Sequence, residues 1–157
     1  MPQLVKGGKY VFGISRINEN FRIVIPPSAI EEYMLNDEKA VILISGSKTS
    51  GGFSICSTGK LKGSKLSNLL KLLQFDDPTG NFGTAENEMI DFNKRIICWL
   101  KLYSDGSFQL NQQLITGLSL GNSGKLVVVR GSGLGPGFIA KGPIFNEAAK
   151  HPELQVF

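Results

Sequence analysis

The side chains that most often catalyse reactions or bind metals are scarce in this chain of 157 residues, which has one histidine and two cysteines. His151 lies in a polar stretch, Cys56 and Cys98 have apolar neighbours, and no CxxC, GxSxG or HExxH pattern is present. The adjacent carboxylates at 31–32 and 76–77 would point about 100° apart on a helix, which favours a surface role. We therefore predict no enzyme, no metal and no cofactor, and two buried free thiols.

Two segments rich in glycine and serine, 46–52 and 130–137, are similar in composition to phosphate-binding loops. Such a loop must run from a strand into a helix, whose N-terminal amides then bind the phosphate. Here an apolar strand follows, no Gly-Lys-Ser/Thr is present, and Pro136 lacks an amide donor. We interpret both segments as turns. Alternatively, they meet and form a polar groove with Lys48 and Arg130 that would bind a small anion.

Charge is unevenly distributed along the chain, which has a formal net charge of +4. Residues 39–75 contain six lysines and no acid, whereas residues 76–91 contain five acids and no base. A solvated face explains this pattern, and so does a basic surface for phosphates that the acidic loop offsets. Apolar runs fall far short of the ~18 residues of a membrane span, and no signal peptide is evident. We expect a cytoplasmic protein that does not enter a membrane.

The most informative feature is an internal repeat, because residues 20–55 match residues 105–140 without a gap, 85 positions later. Each copy predicts two strands, a short helix and two further strands, with turn residues between them. One such β-β-α-β-β unit cannot bury its own sheet face, but two copies in one chain can cover each other. The predicted segments are 10–17, 21–25, 27–33 (helix), 39–45 and 53–56 in the first copy, and 95–103, 108–110, 112–118 (helix), 125–130 and 138–140 in the second.

The remaining segments connect or follow these copies. Leu66, Leu69, Leu70 and Leu73 have helical spacing and predict an amphipathic helix that packs on the β core. Residues 76–83 predict an exposed loop, and residues 89–92 and 95–102 a hairpin around the turn at 93–94. A last helix is expected at about 145–150.

The segment Ser15-Arg-Ile-Asn-Glu-Asn-Phe-Arg-Ile-Val-Ile-Pro26 resembles the opening hairpin of AbrB-like swapped-hairpin domains, which include SpoVT- and MraZ-related proteins. The family has a basic residue, a turn and then Gly-Arg-Ile-Val-Ile-Pro, and Tyr33-Met-Leu35 falls where it has Leu-Gly-Leu. The resemblance covers roughly residues 10–56 and, more weakly, 95–141. The family's turn glycine is Phe21 here, and arginines that it often carries on the short helix fall on Ile30 and Glu31.

The resemblance implies interleaved hairpins in one pseudo-barrel, usually built from two chains, and proteins that bind DNA as transcriptional regulators or act as antitoxins. Basic residues of the first hairpin would contact the DNA. Carried over by position, these are Arg16 and Arg22, with Lys9 nearby. The second copy has Ser107 at the hairpin arginine and offers basic residues at other positions. Those residues are Lys94, Arg95 and Lys101.

We therefore predict a mainly β (α+β) fold of two β-β-α-β-β repeats, which form an AbrB-like swapped-hairpin pseudo-dimeric barrel with an amphipathic helix after each repeat. The repeats are 8–57 and 93–142, the connecting helix and acidic loop 58–92, and the C-terminal helix and tail 143–157, with both repeats in one folded unit. The predicted function is a DNA-binding transcriptional regulator that forms a homodimer or higher oligomer. The alternative is a protein-interaction or assembly module that has a protein partner and has lost its DNA contacts.

Overall fold

A computed structural model describes residues 10–47, 49–120 and 123–157, so Lys9 and Lys48 lie outside the described residues. The described chain is mainly β with a few short helices, as the sequence predicts. The strands are β1 (Val11–Arg16), β2 (Arg22–Val24), β3 (Ala40–Ser45), β4 (Phe53–Cys56), β5 (Phe75–Asp76), β6 (Asn81–Phe82), β7 (Ile90–Phe92), β8 (Arg95–Lys101), β9 (Ser107–Gln109), β10 (Lys125–Val129) and β11 (Gly137–Ile139). The helices are α1 (Pro27–Glu32), α2 (Thr58–Lys62), α3 (Asn68–Leu72), α4 (Gln112–Gly117) and α5 (Pro143–Ala148).

Seven strands form one antiparallel sheet in the order β1-β10-β11-β4-β3-β8-β7, while β2 with β9 and β5 with β6 form separate two-stranded ribbons. The register of β3 on β8 recurs 85 positions away in the register of β10 on β1. Ala40 faces Lys101, and the residues 85 positions from them, Lys125 and Arg16, also face each other. Each half of the chain therefore contributes a strand that pairs with the other half.

Two pairs of facing residues lie at the centre of this arrangement. Ile23 faces Phe108 in the β2·β9 ribbon, and Phe53 faces Phe138 where β4 meets β11. In both pairs the two residues are 85 positions apart in the sequence. The Phe53 and Phe138 rings are stacked, with centroids 4.9 Å apart.

The sheet is buried on both faces, which explains its continuous aliphatic strands. One face packs against the β2·β9 ribbon and helices α1 and α4. On the opposite face, α2 and α3 cover β3 and β8, and α5 covers β1 and β10. On this second face, α2 and α3 form one helical layer and α5 forms another. The junction of β4 and β11 lies between these two layers. Among the described residues, no helix has both the length and the apolar character needed to cross a membrane.

Two sequence-based expectations for the connecting segment need correction. The leucine-rich helix is shorter than predicted, because Leu66 and Leu73 lie in turns on either side of α3. Its leucines nevertheless pack on the sheet, as expected. Residues 76–83 are not simply a loop, because Phe75 and Phe82 pair across the β5·β6 ribbon. Their rings, 5.0 Å apart, form part of an apolar cluster, and burial of these rings stabilises the ribbon. The sequence predicted a loop here because most of the surrounding residues are polar.

Both cysteines are buried free thiols, as predicted. Burial raises the pKa of Cys56 and of Cys98 to about 12. A thiol with such a pKa stays protonated at neutral pH and is a poor nucleophile or ligand.

Met34→Gly is expected to raise the free energy of unfolding by about 1 kcal/mol. Met34 has φ 55° directly after α1, in the left-handed region that favours glycine. The N–H of Leu35 donates to Ile30 O at 2.9 Å and the N–H of Met34 to Glu31 O at 3.2 Å, so the turn is well formed around this strained residue. The Met34 side chain is 70% exposed, so its removal costs little packing.

Urea denaturation would measure this gain, and Met34→Ala is the matched control. Alanine removes the same side chain but keeps a Cβ atom, so it should give no comparable increase. Equal stabilisation by both variants would contradict the argument from backbone strain.

Candidate nucleic-acid interface

Strand direction and register place several cations at one end of the seven-stranded sheet. Strand β1 ends at Arg16, which faces Lys125 at the start of β10, and β8 begins at Arg95 directly after Lys94. Lys141 follows β11, and its N–H donates to the loop between β3 and β4 at 3.0 Å. We call these five residues the basic end.

The side chains of the basic end are available to a ligand. All five residues are exposed, and none takes part in the ion pairs formed within residues 10–47, 49–120 and 123–157. Strands β1 and β8 are separated by five interstrand spacings, or roughly 24 Å along the sheet.

The opposite end of the sheet combines cations with carboxylates. Arg130 makes a bidentate ion pair with Glu32, with its Nε 2.7 Å from Oε2 and its Nη2 2.5 Å from Oε1. The hydrogen bond from Arg130 lowers the pKa of Glu32, and the guanidinium lies 4.5 Å from the Tyr10 ring centroid. Arg130 therefore connects helix α1 to the sheet. Lys101 also lies at this end, and its N–H donates to a Glu86 carboxylate oxygen at 2.8 Å.

Arg22 lies at the start of β2 in the β2·β9 ribbon, and its carbonyl oxygen accepts from the N–H of Asn18 at 2.9 Å. Its Nη2 is 2.9 Å from Asp105 Oδ2, and its guanidinium lies 4.9 Å from the Tyr103 ring centroid. Hydrogen bonds from Ser107, and then from Arg22, lower the pKa of Asp105. The carboxylate thus remains charged and offsets Arg22, although both side chains are exposed and such a pair is weak.

The predicted DNA-contacting residues therefore do not form one cluster. Arg16, Lys94 and Arg95 share the basic end. Arg22 and Lys101 instead both lie against the Tyr103 ring, at 4.9 and 5.8 Å from its centroid. Lys125 and Lys141 were missed because each is an isolated lysine in the sequence. Lys125 could be found from the register between the adjacent strands β1 and β10, in which it faces Arg16.

Both glycine-rich loops line one groove of about 330 Å³, between the two helical layers. The cation that lines this groove is Arg95. Of the two cations predicted for it, Arg130 is instead paired with Glu32, and Lys48 lies outside the described residues. A neighbouring groove of about 430 Å³ is lined by Lys94 and Lys141. Strand β11 follows the second loop, so the loop has no helix whose amides could bind a phosphate, as the interpretation as a turn predicts.

Within the described part of the chain, no group of three or more His, Cys, Asp or Glu side chains is close enough to hold a metal ion. The chemistry at the basic end is therefore that of exposed ammonium and guanidinium groups, which bind anions through charge and hydrogen bonds. No family model, curated protein or solved structure matches this chain.

Proposed function

We propose that the chain is a non-enzymatic, DNA-binding regulator of the AbrB type that holds duplex DNA against the basic end. The observation that carries this proposal is the set of five exposed cations at one end of the sheet, without ion pairs among the described residues. Each contact between a cation and a phosphate releases a condensed counterion, which favours binding at low salt.

The proposed fold is an internally duplicated, swapped-hairpin barrel. It is supported by the pairing of β1 with β10 and of β3 with β8, in which the first strand of each copy lies beside the third strand of the other. Backbone geometry adds support at two positions where the AbrB-like pattern has glycine. Phe21 and Met34 occupy these positions, and they have φ 61° and 55°.

The two ends of the sheet correspond to each other at an offset of 85 positions, but only one of them is basic. Arg16 corresponds to Lys101, and Lys94 to Lys9. The other three, Lys125, Lys141 and Arg95, correspond to uncharged residues. Those uncharged residues are Ala40, Cys56 and Tyr10. Each chain would therefore present one DNA-binding end, and two-fold symmetric DNA would require two chains.

The test is the fluorescence anisotropy of a labelled ~20-base-pair duplex of mixed sequence at about 50 and 200 mM salt. Wild type is compared with Arg16→Gln/Arg95→Gln/Lys125→Gln. We expect salt-sensitive binding by the wild type, and loss of at least about tenfold in affinity in the variant at the lower salt concentration. The slope of log affinity against log salt should fall by about 0.9 for each contact removed.

The control is Lys65→Gln/Lys71→Gln/Lys101→Gln, which removes the same charge from exposed positions elsewhere. It should bind DNA more tightly than the first variant, because the basic end stays intact. Equal loss in both variants would mean that net charge alone drives binding. Absence of binding at the lower salt concentration would overturn the proposal and favour the protein-interaction module.

A further inference from the structure

A cavity of about 770 Å³ lies beside β3 and β8, at the end of the sheet opposite the basic end. Three aromatic rings line it, those of Phe75, Phe82 and Trp99. Asp37 and Glu38, which precede β3, contribute its carboxylates. The cavity thus combines the two groups that attract organic cations, aromatic rings and carboxylates.

The aromatic wall is held in place before any ligand binds. The rings of Phe82 and Trp99 stack at a centroid distance of 4.8 Å and an interplanar angle of 8°, and Phe75 lies 5.0 Å from Phe82. Trp99 Nε1 donates to Thr84 O at 2.8 Å, which fixes the orientation of the indole. Little side-chain entropy would be lost when a ligand binds to such a wall.

The charge of the cavity favours a cation over an anion. Asp37 and Glu38 outnumber the one lining cation, Lys39. Burial, and then the nearby Asp37 carboxylate, raise the pKa of Glu38, whereas the positive charge of Lys62 lowers it.

The chain itself provides an example of this contact at the Phe75 ring. Lys62 Nζ lies 6.0 Å from the Phe75 ring centroid, and it is 2.6 Å from Asp77 Oδ1. An ammonium group therefore lies between an aromatic ring and a carboxylate at this surface.

A smaller cavity of about 280 Å³, lined by Ile14 and Lys125, lies at the corresponding place in the other half, but its lining differs. The residue 85 positions from Trp99 is Ile14, and the residue 85 positions from Glu38 is Ser123. Phe75 and Phe82 belong to the connecting segment, which lies outside both copies of the repeat. The aromatic and acidic lining is therefore particular to one half of the chain.

We propose that this cavity binds an organic ammonium cation, either a free alkylammonium compound or the side chain of a methylated lysine in a peptide. The aromatic wall would attract the cation and its methyl groups, and the carboxylates would supply the opposite charge. This proposal does not depend on DNA binding, because the basic end contributes no residue to the cavity.

Trp99 is the only tryptophan of the chain, so its fluorescence reports directly on this cavity. Choline chloride is titrated at constant ionic strength, with 3,3-dimethylbutan-1-ol as an uncharged compound of the same shape. We expect a saturable change in emission with choline and none with the alcohol. Asp37→Asn/Glu38→Gln should weaken choline binding at least about fivefold, and Phe82→Leu by a similar factor.

A peptide carrying one trimethyllysine distinguishes the two sources of the cation. Tighter binding than choline assigns the ammonium group to a protein partner, and weaker binding assigns it to a free compound. Circular dichroism establishes whether each variant is folded, and the isosteric Asn/Gln variant remains informative if Phe82→Leu is not. No saturable response to choline up to about 50 mM, or an equal response to the alcohol, would overturn the proposal.

Discussion

Gly135→Ala is expected to lower the free energy of unfolding by about 3 kcal/mol, although it adds only one methyl group. A Cβ atom at this position would lie 1.6 Å from Ile55 O and 3.1 Å from Cys56 Cα. Both atoms belong to the backbone of β4, which is buried within the sheet, so neither can move away without breaking strand pairing. The loop must therefore shift away from β4, and the adjacent hydrogen bond from Ile55 N to Pro136 O, 3.1 Å long, would be lost with it.

Gly133→Ala is the matched control, two residues away in the same loop. A Cβ atom there meets nothing within 4 Å, so its cost should stay within about 0.5 kcal/mol. Urea denaturation of both variants would test the difference. Equal and small effects would mean that the loop does not pack against β4 as described. Its glycines would then be candidates for binding a ligand.

Phe53→Ala is expected to cost about 4 kcal/mol, because it leaves a cavity at the centre of the core. The ring is 2% exposed. It stacks on Phe138 at 4.9 Å and meets Phe108 edge to face at 5.8 Å. Phe138 has the same two kinds of contact, since its ring also lies 5.8 Å from Phe108.

If the two halves are equivalent, Phe138→Ala should cost the same as Phe53→Ala to within about 1 kcal/mol. The double variant should cost less than the sum of the two, by about 1 kcal/mol, because the stacked pair is lost only once. Phe53→Leu keeps most of the apolar volume and provides a folded reference if the alanine variants do not fold. Strongly unequal costs would argue against the proposed duplication.

The two ends of the sheet suggest different ligands. The basic end offers exposed cations, which suit anionic groups such as phosphates. The opposite end offers aromatic rings and carboxylates around a cavity, which suits a small cation.

The elements of each copy could be predicted from local sequence. Turn residues bounded the strands, and the β4 segment 53–56 was predicted at the bounds observed. The same local information failed at residues 76–83, where polar residues predicted a loop. It did not reveal that Phe75 and Phe82 pair across the ribbon. Nor did it reveal that they pack near Trp99, because Trp99 lies about twenty residues further along the chain.

The candidate sites depended on long-range pairing, which strand composition cannot specify. Arg16 and Arg22 appeared equivalent in the sequence as basic residues of one hairpin. In the structure Arg22 pairs with Asp105, 83 positions away, while Arg16 faces Lys125. The offset of 85 positions related the two copies, but it did not show that strands would pair between them.

The sequence by itself predicted most of the strands, turns and helices outside residues 58–92, and it showed that side chains which often catalyse reactions are few, with one histidine and two apolar-flanked cysteines. These properties follow from periodicity, turn residues and composition, which act over a few neighbouring residues. The tertiary structure alone decided which of the described cations lack an ion pair, which of them share one end of the sheet, and where aromatic rings line a cavity. These properties depend on strand register between distant segments, and a shift of one residue would place each side chain on the other face.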